Sequence, residues 1–365
     1  MNPIIPYENL KTLNKRFENS LKDKFSDFLE KGWYVLGEEV SSFEQEFGNF
    51  HNEKYVVGVA NGLDALILSL KCLDFNRGDE VIVPSNTYIA SILAILHCNL
   101  VPVLVEPNLE TYNIDPDQIA AAITKKTVAI MVVHLYGQCC EMDPVISIAN
   151  QYNLKIVEDC AQAHGARYKN RLAGTFGDFG AFSFYPTKNL GALGDAGAVI
   201  CKSKADYDKI RQLRNYGSEK KYHNSIVGYN SRLDEIQAAF LRIKLPYLEA
   251  INNHKNRLAE IYLKGLKSDF IMPVVKEGFD NVYHIFNIRH PERDQIRSYL
   301  MDHNIGTEIH YPVAPHQQKA MRQMQHLNFP VSTEIHRTTL SLPCSYAHTP
   351  EDILRVVDVL NQFSK

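Results

Sequence analysis

No charge of one sign dominates these 365 residues. Thirty-nine lysines and arginines stand against 42 aspartates and glutamates, for a net charge of −3. That balance, without a basic tail, leaves no footprint for nucleic acid. No uncharged run approaches the ~20 apolar residues of a membrane span, and residues 1–11 lack the apolar core of a secretory signal. The seven cysteines (Cys72, Cys98, Cys139, Cys140, Cys160, Cys201, Cys344) show no paired metal-ligand spacing. Cys139 and Cys140 are adjacent, which suits neither a zinc knuckle nor an ordinary disulfide. Most of the seven sit in apolar runs, as buried thiols of a reducing compartment do, so a cytoplasmic location is expected. Internal repeats, low-complexity segments, a Walker loop and a GxGxxG fingerprint are all missing. What is present is a 45% hydrophobic chain, long enough for one large domain and a smaller one.

Apolar residues step by three or four through Leu10, Leu13, Phe17, Leu21, Phe25 and Phe28. That spacing predicts one amphipathic helix, stopped at Gly32. Val40, Phe43 and Phe47 predict a short helix after Gly37. Strands are expected at 55–59, 80–84, 101–105, 127–134, 155–159, 181–185 and 198–201. Helices fall between them at 65–73 and 88–97. Two more are expected where Asp115 and Asp143 act as caps, each followed by a proline. Such alternation means right-handed βαβ units and a mostly parallel sheet covered on both faces, with ligands beyond the carboxyl ends of the strands. After Cys201 come a helix at 207–216, a polar loop at 218–228, and a helical region from 234 to about 266 kinked at Pro246. A strand at 283–289, a helix at 294–303, a strand at 307–311 and a final helix capped by Thr349 complete a smaller α+β unit. The expected division is a large domain over 1–245 and a small one over 246–365.

The chain is organised around residues 181–197, AFSFYPTKNLGALGDAG. Pro186 ends any strand ladder there, having no N–H to donate. Lys188 follows at once on a turn, with Gly191, Gly194, Asp195 and Gly197 beyond it. A lysine enclosed by apolar strands loses proton affinity and becomes a nucleophile suited to Schiff-base chemistry; the plain alternative is a loop lysine in water. Asp159 ends a strand in VEDCAQAHG (157–165). Glu158 and Asp159 face opposite ways, so one points into the crevice. A carboxylate there can bind a metal, cap a helix or pair with a pyridinium nitrogen. With no second carboxylate or histidine pair at ligand spacing, no metal is expected. His164 reads as a structural histidine. Asn61, Gly62 and Leu63 at a helix N-terminus offer free N–H groups to a phosphate, although any strand–turn–helix can carry a glycine. Ser183 can add its hydroxyl. Tyr88 can lie flat on an aromatic ligand or serve as an ordinary core or surface tyrosine. A phosphate cradle, a stacking ring, a carboxylate and a lysine together suit pyridoxal 5′-phosphate.

Over nearly its whole length the chain resembles the DegT/StrS-type sugar aminotransferases. The similarity is carried by GWYVLGEEVSSFEQEF (32–47), NGLDAL (61–66), PSNTYIAS (84–91), HLYGQCCEMD (134–143), EDCAQAHG (158–165), 179–197 and GYNSRLDEIQ (228–237). The resemblance implies an α/β, aspartate aminotransferase-like fold (the type I fold of pyridoxal-phosphate enzymes). Its large domain would hold a mostly parallel seven-stranded sheet, beside a smaller C-terminal α+β domain. It implies Lys188 as the Schiff-base lysine and general acid/base, Asp159 on the pyridine nitrogen, and Gln162 near the phenolic oxygen. Tyr88 would stack on the ring, and Gly62, Leu63 and Ser183 would hold the phosphate. Asn230 would reach the phosphate from the neighbouring subunit of a homodimer with shared sites. Tyr185, Tyr216, His310 and Tyr311 match positions near the sugar nucleotide.

Leu63 stands where many relatives have threonine, which leaves only its backbone N–H for the phosphate. YPTKNLGALGDAG and ANGLDAL resemble the branch that aminates 3-keto-6-deoxyhexoses carried on dTDP. Tyr185 and residues 191–195 differ from the His- and Glu-containing versions found in enzymes that aminate carbon 4. Related dehydratases carry histidine in place of the lysine, and Lys188 speaks against that activity. The expected reaction is a ping-pong transamination from L-glutamate, through the pyridoxamine form, to a dTDP-3-amino-3,6-dideoxyhexose. Such a product is a precursor of surface polysaccharide, O-antigen included, or of a glycosylated natural product. The alternatives are amination at carbon 4 on another nucleotide sugar, or a cofactor-fold regulator without catalysis. Lys220, Lys221, Tyr222 and Arg232 are either diphosphate contacts or solvated loop residues.

Overall fold

Apolar runs such as VIV and VAIMVV carry branched side chains to both faces, and they form strands covered on both sides. The protein's structure is a computed structural model that describes residues 3–363. Seven strands make its main sheet: β1 (Tyr55–Val59), β2 (Glu80–Pro84), β3 (Val101–Val105), β4 (Thr127–Val133), β5 (Lys155–Asp159), β6 (Phe179–Ser183) and β7 (Gly197–Cys201). Their order is β1-β7-β6-β5-β4-β2-β3. β3, β2, β4, β5 and β6 run parallel, and β7 runs antiparallel to both its neighbours, β6 and β1. The expected α/β fold with a mostly parallel seven-stranded sheet is therefore present.

Pleating assigns the faces. Even-numbered Ile130, Val132, Ile156 and Phe182 pack on one side with Phe43 and Phe47, whose helix Glu38–His51 meets Phe182 and Phe184 edge to face. Odd-numbered Ala129, Met131, Val157, Phe179 and Ala181 pack on the other side with Ala65, Leu66 and Leu68 of the helix Gly62–Cys72. A separate cluster joins the helices Leu248–Gly265 and Pro350–Gln362 to an antiparallel pair, β8 (Phe286–Arg289) and β9 (Thr339–Leu342). Ile5, near the N-terminus, belongs to that cluster.

Several elements differ from expectation. The first helix is two, Leu10–Lys15 and Glu18–Lys31, because Phe17 turns inward against Phe240 and Tyr247. Gly32 ends the second at φ 63°, as its place predicts. Asp143 caps nothing: its helix starts two residues earlier than expected, at Met142, and its carboxylate takes Tyr168 and Lys169 instead. β6 ends at Ser183, which leaves Tyr185 outside the ladder. The helix expected at 207–216 is Lys204–Leu213, capped by Ser203. The polar loop at 218–228 holds two short paired strands, Ser218–Lys220 and His223–Asn224. The kink at Pro246 is a 3-10 turn between helices Glu235–Lys244 and Leu248–Gly265.

No strand forms at 307–311, where only Glu308 bridges Ser341. β9, which the sequence reading missed, pairs β8 instead. β8 starts three residues late because Tyr283 takes φ 41°, and Val282 and Ile285 give their N–H groups to Gly137 and Tyr136. Thr349 forms a full capping box with Asp352. All seven cysteines are buried and unpaired, and no helix among the described residues is long and apolar enough to cross a membrane.

Candidate active site

β4 and β5 end level, with Val133 opposite Asp159, and β6 runs two residues past Ala181, the partner of Asp159, to Ser183. Beyond their carboxyl ends opens a cavity of about 570 Å3. Asp159 and Ser183 share the odd-numbered face, so both point toward the helices that follow β1 and β2, and Glu158 points away. Asp159 is buried. It accepts hydrogen bonds from Ser91 Oγ at 2.7 Å and from Ala161 N–H at 3.1 Å, and Ser91 in turn meets Thr87 Oγ1 at 2.8 Å. Burial lifts the Asp159 carboxyl above its ordinary value, against those bonds and the charge of Lys188.

Lys188 sits on the turn after β6, its N–H bonded to the Tyr185 carbonyl at 2.8 Å. Burial holds its amine down at about 8, with the charge of Asp159 opposing. Gly62 opens the helix N-terminus that Asn61 caps through Asp64 N–H at 2.8 Å. A Cβ on Gly62 would come within 2.5 Å of Ser183 Cβ. Only glycine lets this N-terminus, with its free first-turn N–H groups, lie against the serine.

Gln162 donates to the Tyr311 hydroxyl at 2.9 Å and keeps its amide oxygen buried and unpartnered. Tyr88 is exposed, its ring 5.0 Å from that of Tyr311. His310 meets Ser341 Oγ at 2.8 Å, and burial and Lys188 push it to about 4. Thus Lys188, Asp159, Gly62, Leu63, Tyr88, Gln162, Ser183, Tyr185, His310 and Tyr311 line one cavity. Free N–H groups, a hydroxyl, a buried carboxylate and a depressed amine fit pyridoxal 5′-phosphate.

Tyr216 and Asn230 lie elsewhere. Tyr216 lines a separate cleft of about 700 Å3 with Lys220, Lys221, Tyr222 and Arg232, and the Arg232 guanidinium lies 5.4 Å from its ring. Asn230 bridges Asn215 beside it.

Ser91 and His284 were missed as site residues. Ser91 closes the stretch PSNTYIAS (84–91). His284 reaches the cavity from the C-terminal region, and nothing local marks it. On the opposite face His134, Glu158 and Cys160 place potential ligand atoms within 4.8 Å of one another. The Glu158 oxygens already accept from Gly174, Phe176 and Gly177 N–H and face His134, while His134 Nδ1 accepts from Cys140 N–H. The trio is a closed hydrogen-bond network. His164 is structural as expected, its ring between Phe182 and Phe184 and pushed by burial to about 3.

A model of the DegT/DnrJ/EryC1/StrS aminotransferase family matches residues 15–361. The chain is 50% identical over 361 residues to the dTDP-3-amino-3,6-dideoxy-alpha-D-galactopyranose transaminase of Aneurinibacillus thermoaerophilus, covering 99% of each. It is 41% identical over 367 residues to the dTDP-3-amino-3,4,6-trideoxy-alpha-D-glucose transaminase of Streptomyces venezuelae, covering 100% of this chain and 97% of that one. The solved structure of S. venezuelae DesV in complex with a ketimine intermediate superposes with a TM-score of 0.96 at 41% identity, over 99% of this chain and 98% of that one.

Proposed function

We propose a substrate and a set of catalytic roles for this chain, which belongs to the DegT/DnrJ/EryC1/StrS aminotransferase family and is a pyridoxal-phosphate-dependent sugar transaminase. The reaction converts a dTDP-3-keto-6-deoxyhexose to the dTDP-3-amino-3,6-dideoxyhexose, with L-glutamate as the proposed donor. One observation carries the choice of substrate: half of all positions match a dTDP-3-amino-3,6-dideoxygalactose transaminase across the full length of both chains.

When bound, the cofactor supplies an aldehyde that condenses with amines and a ring that draws electrons from the carbon being deprotonated. Lys188 is the proton carrier. An amine held near 8 is neutral often enough at neutral pH to take a proton from carbon, and as ammonium it returns that proton to the neighbouring position. Asp159, pinned by Ser91 and Ala161, keeps a proton on the ring nitrogen. Gly62 and Leu63 N–H groups and the Ser183 hydroxyl would hold the phosphate, Tyr88 would cover one ring face, and Gln162 would stand at the phenolic oxygen, where its amide N–H is the group able to donate. Tyr185, His310 and Tyr311 face the sugar from the cavity wall.

Tyr216 and Asn230 lie away from this cavity, which suits a homodimer in which each copy lends them to the other's site. The exposed run of Phe25, Leu29, Trp33, Tyr34 and Val35 supports such a contact. A cytoplasmic location suits seven reduced thiols. The division at 245/246 into a cofactor-binding and a smaller domain completes the proposal, and a polysaccharide such as O-antigen is one use for the product.

The test is to incubate purified protein with glutamate and either the 3-keto or a 4-keto dTDP-sugar, following bleaching of the cofactor band and amino-sugar product by mass spectrometry. Product from the 3-keto sugar alone is expected. Product from the 4-keto sugar alone overturns the substrate assignment, and bleaching by glutamate without product from either sugar points to a different acceptor.

A further inference from the structure

Among the described residues the amine of Lys188 has one polar partner, His284 Nε2 at 3.4 Å. His284 stands on the cavity wall, 96 residues further along the chain. We propose that His284 is a positioning residue: its neutral imidazole accepts a hydrogen bond from the Lys188 ammonium and aims that amine into the cavity whenever it is free. The proposal rests on the reading of Lys188 as proton carrier.

The backbone of His284 is held on every side. Its carbonyl accepts from Lys255 Nζ at 3.2 Å. Its N–H lies so close to Gly137 that a Cβ there would approach within 2.8 Å. Tyr283 before it takes φ 41° and gives its N–H to Asn281 Oδ1 at 2.8 Å, and Ile285 after it gives its N–H to the Tyr136 carbonyl at 3.2 Å. This anchoring, which delays the start of β8, presents the ring from a rigid stretch of chain.

The charges around His284 keep it neutral. Burial acts first, and Lys188, Lys255, His310 and His164, all cationic when protonated, face it as well. Together they hold the imidazole well below its ordinary value, so one ring nitrogen stays free to accept. His284 Nδ1 has no partner, so no competing bond fixes the tautomer the other way. Lys188 is attracted by the charge of Asp159, but Asp159 makes its hydrogen bonds to Ser91 and Ala161. Direction for the amine is left to His284. A contact of 3.4 Å is long, as catalytic hydrogen bonds commonly are before substrate binds.

The experiment titrates Lys188 in cofactor-free protein. The rate at which trinitrobenzenesulfonate modifies Lys188, read by peptide mass spectrometry, is followed against pH in the wild type, His284→Phe and His284→Gln. In the phenylalanine variant the ammonium loses its acceptor, so the midpoint falls from about 8 by about one pH unit. Glutamine, whose amide oxygen reaches the place of Nε2, restores most of it. In loaded enzyme His284→Phe lowers kcat while the KM for glutamate stays within about twofold, the pattern of a misdirected proton carrier. An unchanged midpoint in His284→Phe, or an equal shift in His284→Gln, overturns the proposal. Circular dichroism checks folding, and His284→Ala replaces the phenylalanine variant if that one does not fold. An unchanged midpoint leaves the transaminase reading standing. Full turnover in Lys188→Ala removes Lys188 as proton carrier, a result separate from the midpoint measured in the wild type.

Discussion

At the scale of single residues, the site depends on two groups whose environments oppose their ordinary chemistry. Lys188 is an amine made less basic by burial, and Asp159 is a carboxylate lifted by burial and pulled back by Ser91, Ala161 and Lys188. Lys188→Ala is expected to abolish turnover while the protein still takes up cofactor through the phosphate cradle, measured by absorbance after gel filtration. Wild-type turnover in that variant excludes the assigned role. Asp159→Asn keeps the hydrogen bond from Ser91 but loses the charge, so proton removal slows by about 10²-fold or more. Stopped-flow bleaching with glutamate reads that rate, and an unchanged rate removes Asp159 from the chemistry. Both residues were legible from sequence because their signal is local: a lysine between apolar strands and glycines, and a carboxylate at a strand end. Ser91 and His284 were not, since a serine inside an apolar helix and a histidine before a strand carry no local mark of what they touch.

At the scale of elements, helix and strand ends decide the geometry. The N-terminus of the helix Gly62–Cys72 reaches Ser183 only because position 62 has no side chain. Gly62→Ala sets a methyl group 2.5 Å from Ser183 Cβ, and the overpacking costs about 1–3 kcal/mol. Cofactor affinity is expected to fall about tenfold or more with circular dichroism unchanged, measured by fluorescence titration of the cofactor. Undiminished affinity means the phosphate lies elsewhere. Periodicity and caps made most elements readable: β1, β2, β3 and β5 have the expected bounds, and Asp115 and Thr349 cap as expected. Two kinds of element were not readable. Phe17 keeps the apolar period, yet the helix breaks there as its ring packs against distant Phe240 and Tyr247. β9 forms from a short run whose partner, β8, lies some fifty residues earlier.

At the scale of the whole molecule, the chain exposes 16650 Å2, against about 14,800 Å2 for a compact monomer of its mass. The surplus fits surface reserved for a second copy, and Trp33, 66% exposed beside Tyr34 and Val35, stands in it. On the proposed dimer with shared sites, Trp33→Glu is expected to shift sedimentation from a dimer to a 41.6 kDa monomer and to lose most activity, because Asn230 and Tyr216 would no longer reach a partner's site. A wild type that sediments as a monomer at full activity overturns shared sites. The sequence by itself determined the alternation of strands and helices, the strand-end carboxylate, the glycine at the helix start and the lysine after β6. Each of these is written within a few neighbouring residues, as side-chain period or backbone freedom. Only the tertiary structure decided that Tyr216 and Asn230 stand apart from the cavity, that Glu158 is enclosed in a hydrogen-bond network, and that His284 comes to rest beside the amine. Those outcomes follow from how remote segments pack, and packing compares surfaces that no local stretch of sequence contains.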